Sequence, residues 1–250
     1  MTVSLVVLLF VIAFGAYIQT ATGFGFGLVV LGIGGAFGLL PIADLAFIAS
    51  ALSIVNSISG LYGNVWRQAQ FRQMFVFLAV ALPMVAVGLY WLEHMGQYAL
   101  NLLQGLLGCV MILVCLSSLL RPDPQAALSP SWHFGVSGAF AGMLSGLFST
   151  AGPPISYLMY RQPVELIVIR ATLLSVFLVL AGFRTSASLV SGLVTDDMIM
   201  VSAVGAPIVL LGTMLSRRYL LSLLPATIVK RIAMIMLLIS GGILLLKALY

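Results

Sequence analysis

Two short runs concentrate the polar chemistry of an otherwise apolar chain. The first, QTATGFGFG, holds Gln19, Thr20 and Thr22, then Gly23, Phe24 and Gly25. The second, STAGPP, holds Ser149, Thr150, Ala151 and Gly152, then Pro153 and Pro154. Each joins hydroxyls to residues that stop one helix and start another. Glycine ends helices, and proline fits a first helical turn, where no N–H is needed. A helix started there presents free N–H groups and the positive end of its dipole. Two such starts arriving from opposite faces would make an anion site. Arg170 is the third candidate, seven residues beyond Pro163 in an apolar run and so about 10 Å along a helix axis. A cation at that depth is costly and faces a cavity or a partner. Its guanidinium suits a tetrahedral oxyanion; snorkelling to the headgroups and pairing with Glu165 stay open as alternatives.

The elements that must position these residues are written for lipid. Of 250 residues, 62% are hydrophobic and 7% charged, against about 25% charged in a soluble domain. A soluble enzyme is excluded on that ground. The net charge of +5 is spread singly at the ends of apolar runs, the pattern that orients a membrane protein rather than one that binds nucleic acid. Met1 to Phe14 lacks a basic n-region and a cleavage site, so it reads as a retained membrane segment. Cys109 and Cys115 lie on different helix faces, which supports neither a disulfide nor a metal site. No cofactor motif occurs, and the ATP-binding loop G-x4-G-K-[ST] is missing. Energy would come from a gradient; proton or sodium remains open as the coupling ion, with Asp44 and Glu165 the acids near hairpin exits.

The expected fold is an all-α polytopic membrane protein with two inverted repeats. Residues 1–120 form the first, 121–131 a proline-rich linker (RPDPQAALSPS lies within it) and 132–250 the second. Hydropathy places spans at Ile42–Gly60, Gln73–Leu92, Tyr98–Leu120, Val164–Phe183, Met198–Leu215 and Val229–Leu249. The stretches Val3–Leu40 and Trp132–Tyr160 are each interrupted by one polar run. Offsets of 122 to 127 superimpose Thr22 on Ser149, Gly25 on Gly152, Ser50 on Thr172, Ser53 on Ser175 and Pro83 on Pro207. Charge gives the inversion. Arg67 and Arg72 precede Gln73–Leu92, whereas Asp196 and Asp197 precede its counterpart and Arg217 and Arg218 follow it. By the positive-inside bias these helices run in opposite directions. A return of about 11 residues spans only about 16 Å, so each broken segment is expected to be a re-entrant hairpin beside about three full helices.

The remaining features have plainer readings. Gly138, Gly142 and Gly146 form a stripe for close helix packing. Arg161, Arg184, Arg217 and Arg218, with Trp66, Trp91 and Trp132, are expected at the interfaces. Asn56 suits an interhelical hydrogen bond or the cavity wall. Gly135-Val136-Ser137-Gly138 matches the G-x-S-G of an intramembrane serine protease, but His94 and His133 both lie at span ends and supply no base within reach. A membrane subunit of a larger complex is the other alternative.

Two glycine-bearing breaks, one after the first apolar run and one after the midpoint linker, together with about 250 residues in two related halves, resemble the TauE/SafE sulfite exporter family, which includes TsaS-type sulfonate permeases. Gly23, Gly25 and Gly27 match the glycine cluster of that family's first motif; Phe24 and Phe26 interrupt it, and the next proline waits until Pro41. Gly146 and Gly152 match the second motif, in which Pro153 and Pro154 stand where glycine is usual. The resemblance implies a multi-pass inner-membrane permease for sulfite, sulfonates or related organosulfur anions, with no catalytic activity.

Overall fold

The computed structural model describes residues 2–94, 100–119, 128–192, 194–216 and 226–249. All regular structure among them is helical. The helices are α1 (Thr2–Thr22), α2 (Phe26–Ala36), α3 (Ile42–Leu61), α4 (Phe71–His94), α5 (Leu100–Leu119), α6 (Ser131–Phe148), α7 (Gly152–Tyr160), α8 (Leu166–Val190), α9 (Asp196–Leu215) and α10 (Ala226–Leu249). A 3₁₀ turn, Val65–Gln68, precedes α4. Five of them, α1, α3, α4, α8 and α9, are long and apolar enough to cross a membrane. The 11 residues of α2 and the 9 of α7 reach about 16 Å and about 13 Å, well short of a core about 30 Å thick.

Local chemistry sets the boundaries. Pro41 and Pro130 stand at the N-caps of α3 and α6, where the missing N–H costs nothing. The Thr195 hydroxyl caps α9 by accepting the Met198 N–H. Pro83 and Pro207 lie inside α4 and α9, as membrane helices allow. Helix α8 continues past the expected Phe183 to Val190, because Arg184, Thr185 and Ser186 do not interrupt the helix. Residues 121–127 of the linker, and Arg217 and Arg218, lie outside the described residues.

Packing is closest where glycine removes the side chain. A Cβ at Gly138, Gly142 or Gly146 would stand 2.6, 2.3 and 2.4 Å from the carbonyl oxygens of Phe77, Ala81 and Val85, so α6 lies backbone-to-backbone on α4 as the stripe predicts. Gly138, the last residue of the Gly135–Gly138 run, is part of this contact. Helix α5 packs on α10, α3 on α8 and α9, and α1 on α9 and α2. One buried cluster gathers α1, α2 and α3; a second gathers α4, α6, α7 and α8. Large apolar side chains such as Phe10, Phe140 and Leu211 point outward, as expected where the surroundings are acyl chains.

Candidate functional site at two facing helix breaks

The first break is shorter than the polar run suggests. Gln19, Thr20 and Thr22 remain in the last turn of α1, and only Gly23, Phe24 and Gly25 leave the helix. Gly23 (φ +81°) closes α1 by donating its N–H to the Gln19 carbonyl at 2.7 Å, and Gly25 (φ +101°) caps α2. Both sit in the left-handed region that glycine enters at no steric cost. The chain turns back on itself here: a Cβ on Gly15 would lie 3.5 Å from the Phe26 carbonyl oxygen. Thr20 donates to the Ala16 carbonyl at 2.7 Å, and the Thr22 hydroxyl lies 2.8 Å from both the Ile18 and Phe24 carbonyls. The Thr22 hydroxyl therefore ties the break to α1, while the Thr20 hydroxyl is satisfied within the helix.

The second break has the same build with a different residue at its pivot. Ser149 ends α6 with φ +52°, a conformation a residue with a Cβ adopts at a cost of about 1–2 kcal/mol. Its N–H donates to Ser145 at 2.9 Å. Thr150 follows, and Ala151 is the N-cap of α7. Gly152 is the first residue of that helix, and Pro153 and Pro154 take the next two positions, so Gly152 alone offers an N–H there. In α2 the corresponding positions, Phe26, Gly27 and Leu28, all carry one. Neither helix has a side-chain cap.

The breaks interlock. A Cβ on Gly27 would stand 2.3 Å from the Ser149 carbonyl oxygen, and one on Gly152 would meet the Phe24 ring at 3.2 Å. Between them lies a cavity of about 30 Å³ lined by both breaks, with Gln19, Ser53 and Phe177 completing the wall. The wall holds two buried polar atoms without a hydrogen-bond partner: Gln19 Oε1, on a side chain 1% exposed, and Thr150 Oγ1, on one 3% exposed. Such atoms are uncommon in a native interior. Both residues border a space that adjoins uncapped helix starts.

Of the expected site residues, Gln19, Gly25, Ser149, Thr150, Ala151 and Gly152 line this cavity. Thr20, Thr22, Gly23 and Phe24 shape the break behind it. Arg170 is directed elsewhere: its Nη2 donates to the Ala21 carbonyl, while the Tyr160 hydroxyl takes the Thr22 carbonyl. The pair satisfies the last carbonyls of α1, where a cation also meets the negative end of the helix dipole. Ser53 and Phe177 were not expected. Ser53 had a signal, since Ser50, Ser53 and Asn56 recur at helical spacing on α3; Phe177 had none.

Arg184 departs from its expected place at the interface. It is 1% exposed, and its guanidinium donates to the Gly146 carbonyl (3.2 Å), the Ala46 carbonyl (2.9 Å) and the Ser50 hydroxyl (3.3 Å). Carbonyls made available by the α3 and α6 backbones solvate the charge without lipid contact. Arg184 also borders a second cavity of about 190 Å³ with Asp44, Phe47, Ser188 and Met198. Asn56 makes the interhelical bonds expected of it, to Ala16 (3.1 Å) and Thr213 (3.0 Å). Asp44 and Glu165 both stand at helix starts, and Trp66, Trp91 and Trp132 are exposed.

Residues 8–244 match the family model described as Sulfite exporter TauE/SafE. The chain is 38% identical over 234 residues to a protein of Cupriavidus necator named as a probable sulfite/organosulfonate exporter TauE, covering 94% of this chain and 91% of that one. It is 30% identical over 188 residues to a probable inner membrane transporter protein TsaS of Comamonas testosteroni, covering 74% and 76%. No solved structure matches it significantly.

Proposed function

The chain belongs to the sulfite exporter TauE/SafE family, and from that premise we propose that it is a secondary transporter moving a sulfonate or sulfite by alternating access around the junction of the two breaks. It is a multi-pass membrane protein and not an enzyme; on this reading it resides in the inner membrane. The observation that carries the proposal is the convergence of two uncapped helix starts and two unpartnered polar atoms, Gln19 Oε1 and Thr150 Oγ1, on one buried cavity.

The physical chemistry of the site favours an oxyanion. The first-turn amides of Phe26, Gly27 and Leu28 and the lone amide of Gly152 are donors, and both helix dipoles place positive ends there. Donation comes mainly from α2, because two prolines remove N–H groups from α7. At about 30 Å³ the cavity holds about one water, which is too little for a sulfonate. Binding then requires the breaks to part, as a carrier does and an open channel does not.

A two-fold inverted relation between the halves is part of this reading. Exchanging α1 to α5 for α6 to α10 converts the contact of α4 with α6 into that of α9 with α1, and that of α3 with α9 into that of α8 with α4. The contacts of α3 with α8 and of α5 with α10 map onto themselves. At the breaks Ser149 takes the place of Gly23, each following its helix in the left-handed conformation, which shifts the local offset from 127 to 126. The reversed charges at the ends of α4 and α9 supply the inversion.

The test is uptake by proteoliposomes of sulfite, sulfoacetate, taurine and toluenesulfonate, with sulfate as comparison. Accumulation or counterflow of a sulfur oxyanion, lost in Gly27→Ala, supports the proposal. A protein that melts normally and moves none of them would sink it.

A further inference from the structure

We propose that the groove between α5, α6 and α7 binds one acyl chain of an anionic phospholipid, whose phosphate is held by Arg161. The groove, of about 580 Å³, is walled by Leu113 on α5, Phe140 and Met143 on α6, and Pro153, Pro154 and Tyr157 on α7. Leu113, Phe140 and Tyr157 are all exposed, so the groove is open along its side to whatever surrounds the helices. At the far end of α7 this apolar wall meets a cation. Arg161 is the C-cap of α7. Its Nη1 donates to the Tyr157 hydroxyl at 3.2 Å, and the guanidinium carbon lies 5.6 Å from the centre of the Tyr157 ring. That is the guanidinium's one hydrogen bond among the described residues, and its Nε has no partner. A guanidinium carries five N–H donors, so donors remain for a charge-assisted bond to phosphate.

Helix length sets the fit. Eight residues separate Arg161 from Pro153, about 12 Å along the axis, and one leaflet of a core about 30 Å thick is about 15 Å deep. An acyl chain entering beside Arg161 therefore passes Tyr157 and ends against Pro153 and Pro154. Ser129 and Gln162 exchange two hydrogen bonds, at 2.9 and 2.8 Å, which bring the segment leading into α6 to the same end as Arg161. The Gln70 N–H donates to Thr172 at 2.9 Å and draws the turn that bears Arg67 toward the first part of α8. The positive-inside bias assigns this end to the cytoplasm, whose leaflet is the one rich in anionic lipid. A second copy of a chain with net charge +5 matches the cation less well than a phosphate does. An acyl chain seated here buttresses the first turn of α7, where Gly152 stands. The site requires only a bilayer, so it stands whether or not the break cavity carries an anion.

The experiment uses the full chain with Trp66→Phe, Trp91→Phe and Trp132→Phe, and a single tryptophan introduced as Phe140→Trp, Leu113→Trp or Leu211→Trp. Phe140 and Leu113 line the groove, whereas Leu211, exposed on α9, does not. Each protein is reconstituted in phosphatidylcholine with rising fractions of either chain-brominated phosphatidylglycerol or chain-brominated phosphatidylcholine, and tryptophan quenching is recorded. Both groove tryptophans should be half-quenched at an about fivefold lower fraction of the brominated phosphatidylglycerol, the effect of about one arginine at an anionic surface. Leu211→Trp should show no such preference, and adding Arg161→Gln should abolish it at the groove. If one groove variant fails to fold, the other carries the test. Equal half-quenching by the two lipids, the same preference at Leu211→Trp, or a preference that survives Arg161→Gln overturns the site. Groove tryptophans that neither lipid quenches are covered by protein, a second copy if the purified chain runs as a dimer, and this too overturns it.

Discussion

Gly27→Ala isolates the junction of the breaks in one methyl group. The new Cβ would stand 2.3 Å from the Ser149 carbonyl oxygen and 3.2 Å from its carbon. Both atoms are backbone, so no side chain can swing aside. An ordinary C···O approach is about 3.3 Å, so one break must retreat by about 1 Å. Overpacking of this kind costs about 1–3 kcal/mol, partly offset by up to about 1 kcal/mol of helix propensity gained by alanine. A net loss of about 1–2 kcal/mol corresponds to a fall in Tm of about 3–6 °C. Gly182→Ala in α8 is the matched control, because nothing lies within 4 Å of its added Cβ and only the propensity gain remains. The assay is thermal melting in detergent, with sulfonate binding read from the ligand-induced rise in Tm. Gly27→Ala should melt lower than Gly182→Ala and lose most of that rise. Equal melting and equal ligand response would refute the close approach on which the site depends.

Other perturbations separate holding residues from binding residues. Thr150→Val removes an unpartnered buried hydroxyl, so the ligand-free Tm should hold or rise while sulfonate affinity falls about tenfold; a lower ligand-free Tm would show that the hydroxyl supports the fold. Arg170→Ala uncaps α1 and should lower Tm with little change in sulfonate affinity; a normal Tm with lost binding would return Arg170 to the substrate. Asn56→Leu removes the bonds from α3 to α1 and α9 and should cost about 0.6–1.7 kcal/mol by thermal melting; no change would mean those bonds are not formed in lipid or detergent. Ser149→Gly relaxes a left-handed residue and should raise Tm, the gain being at most about 1–2 kcal/mol; a fall would show that the serine side chain stabilises the turn.

What the sequence disclosed follows from the range of the interactions involved. Span positions were legible because hydropathy is a local sum, and α3, α4 and α9 begin and end within two residues of expectation. The breaks were legible because glycine and proline act on their own backbone. Two kinds of information were not local. Thr20 and Thr22 looked like ligands because hydroxyls in a polar run suggest a site, yet a threonine in a helix can satisfy itself on a carbonyl four residues back. Arg170 and Arg184 could not be told apart by depth alone. That Arg170 meets the end of α1 while Arg184 meets α3 and α6 beside a cavity depends on how α8 crosses those helices, and no spacing in the chain encodes that crossing.

On the proposed reading, the starts of α2 and α7 jointly hold the anion. A cryo-EM map of the protein in nanodiscs with saturating iodobenzenesulfonate would locate the bound anion. Oxyanion density is expected within hydrogen-bond distance of the amides of Gly27 and Leu28 and of Gly152, with Gln19 and Thr150 turned toward it. Density that avoids both breaks, or a map in which α1 runs unbroken into α2 or α6 into α7, would contradict it.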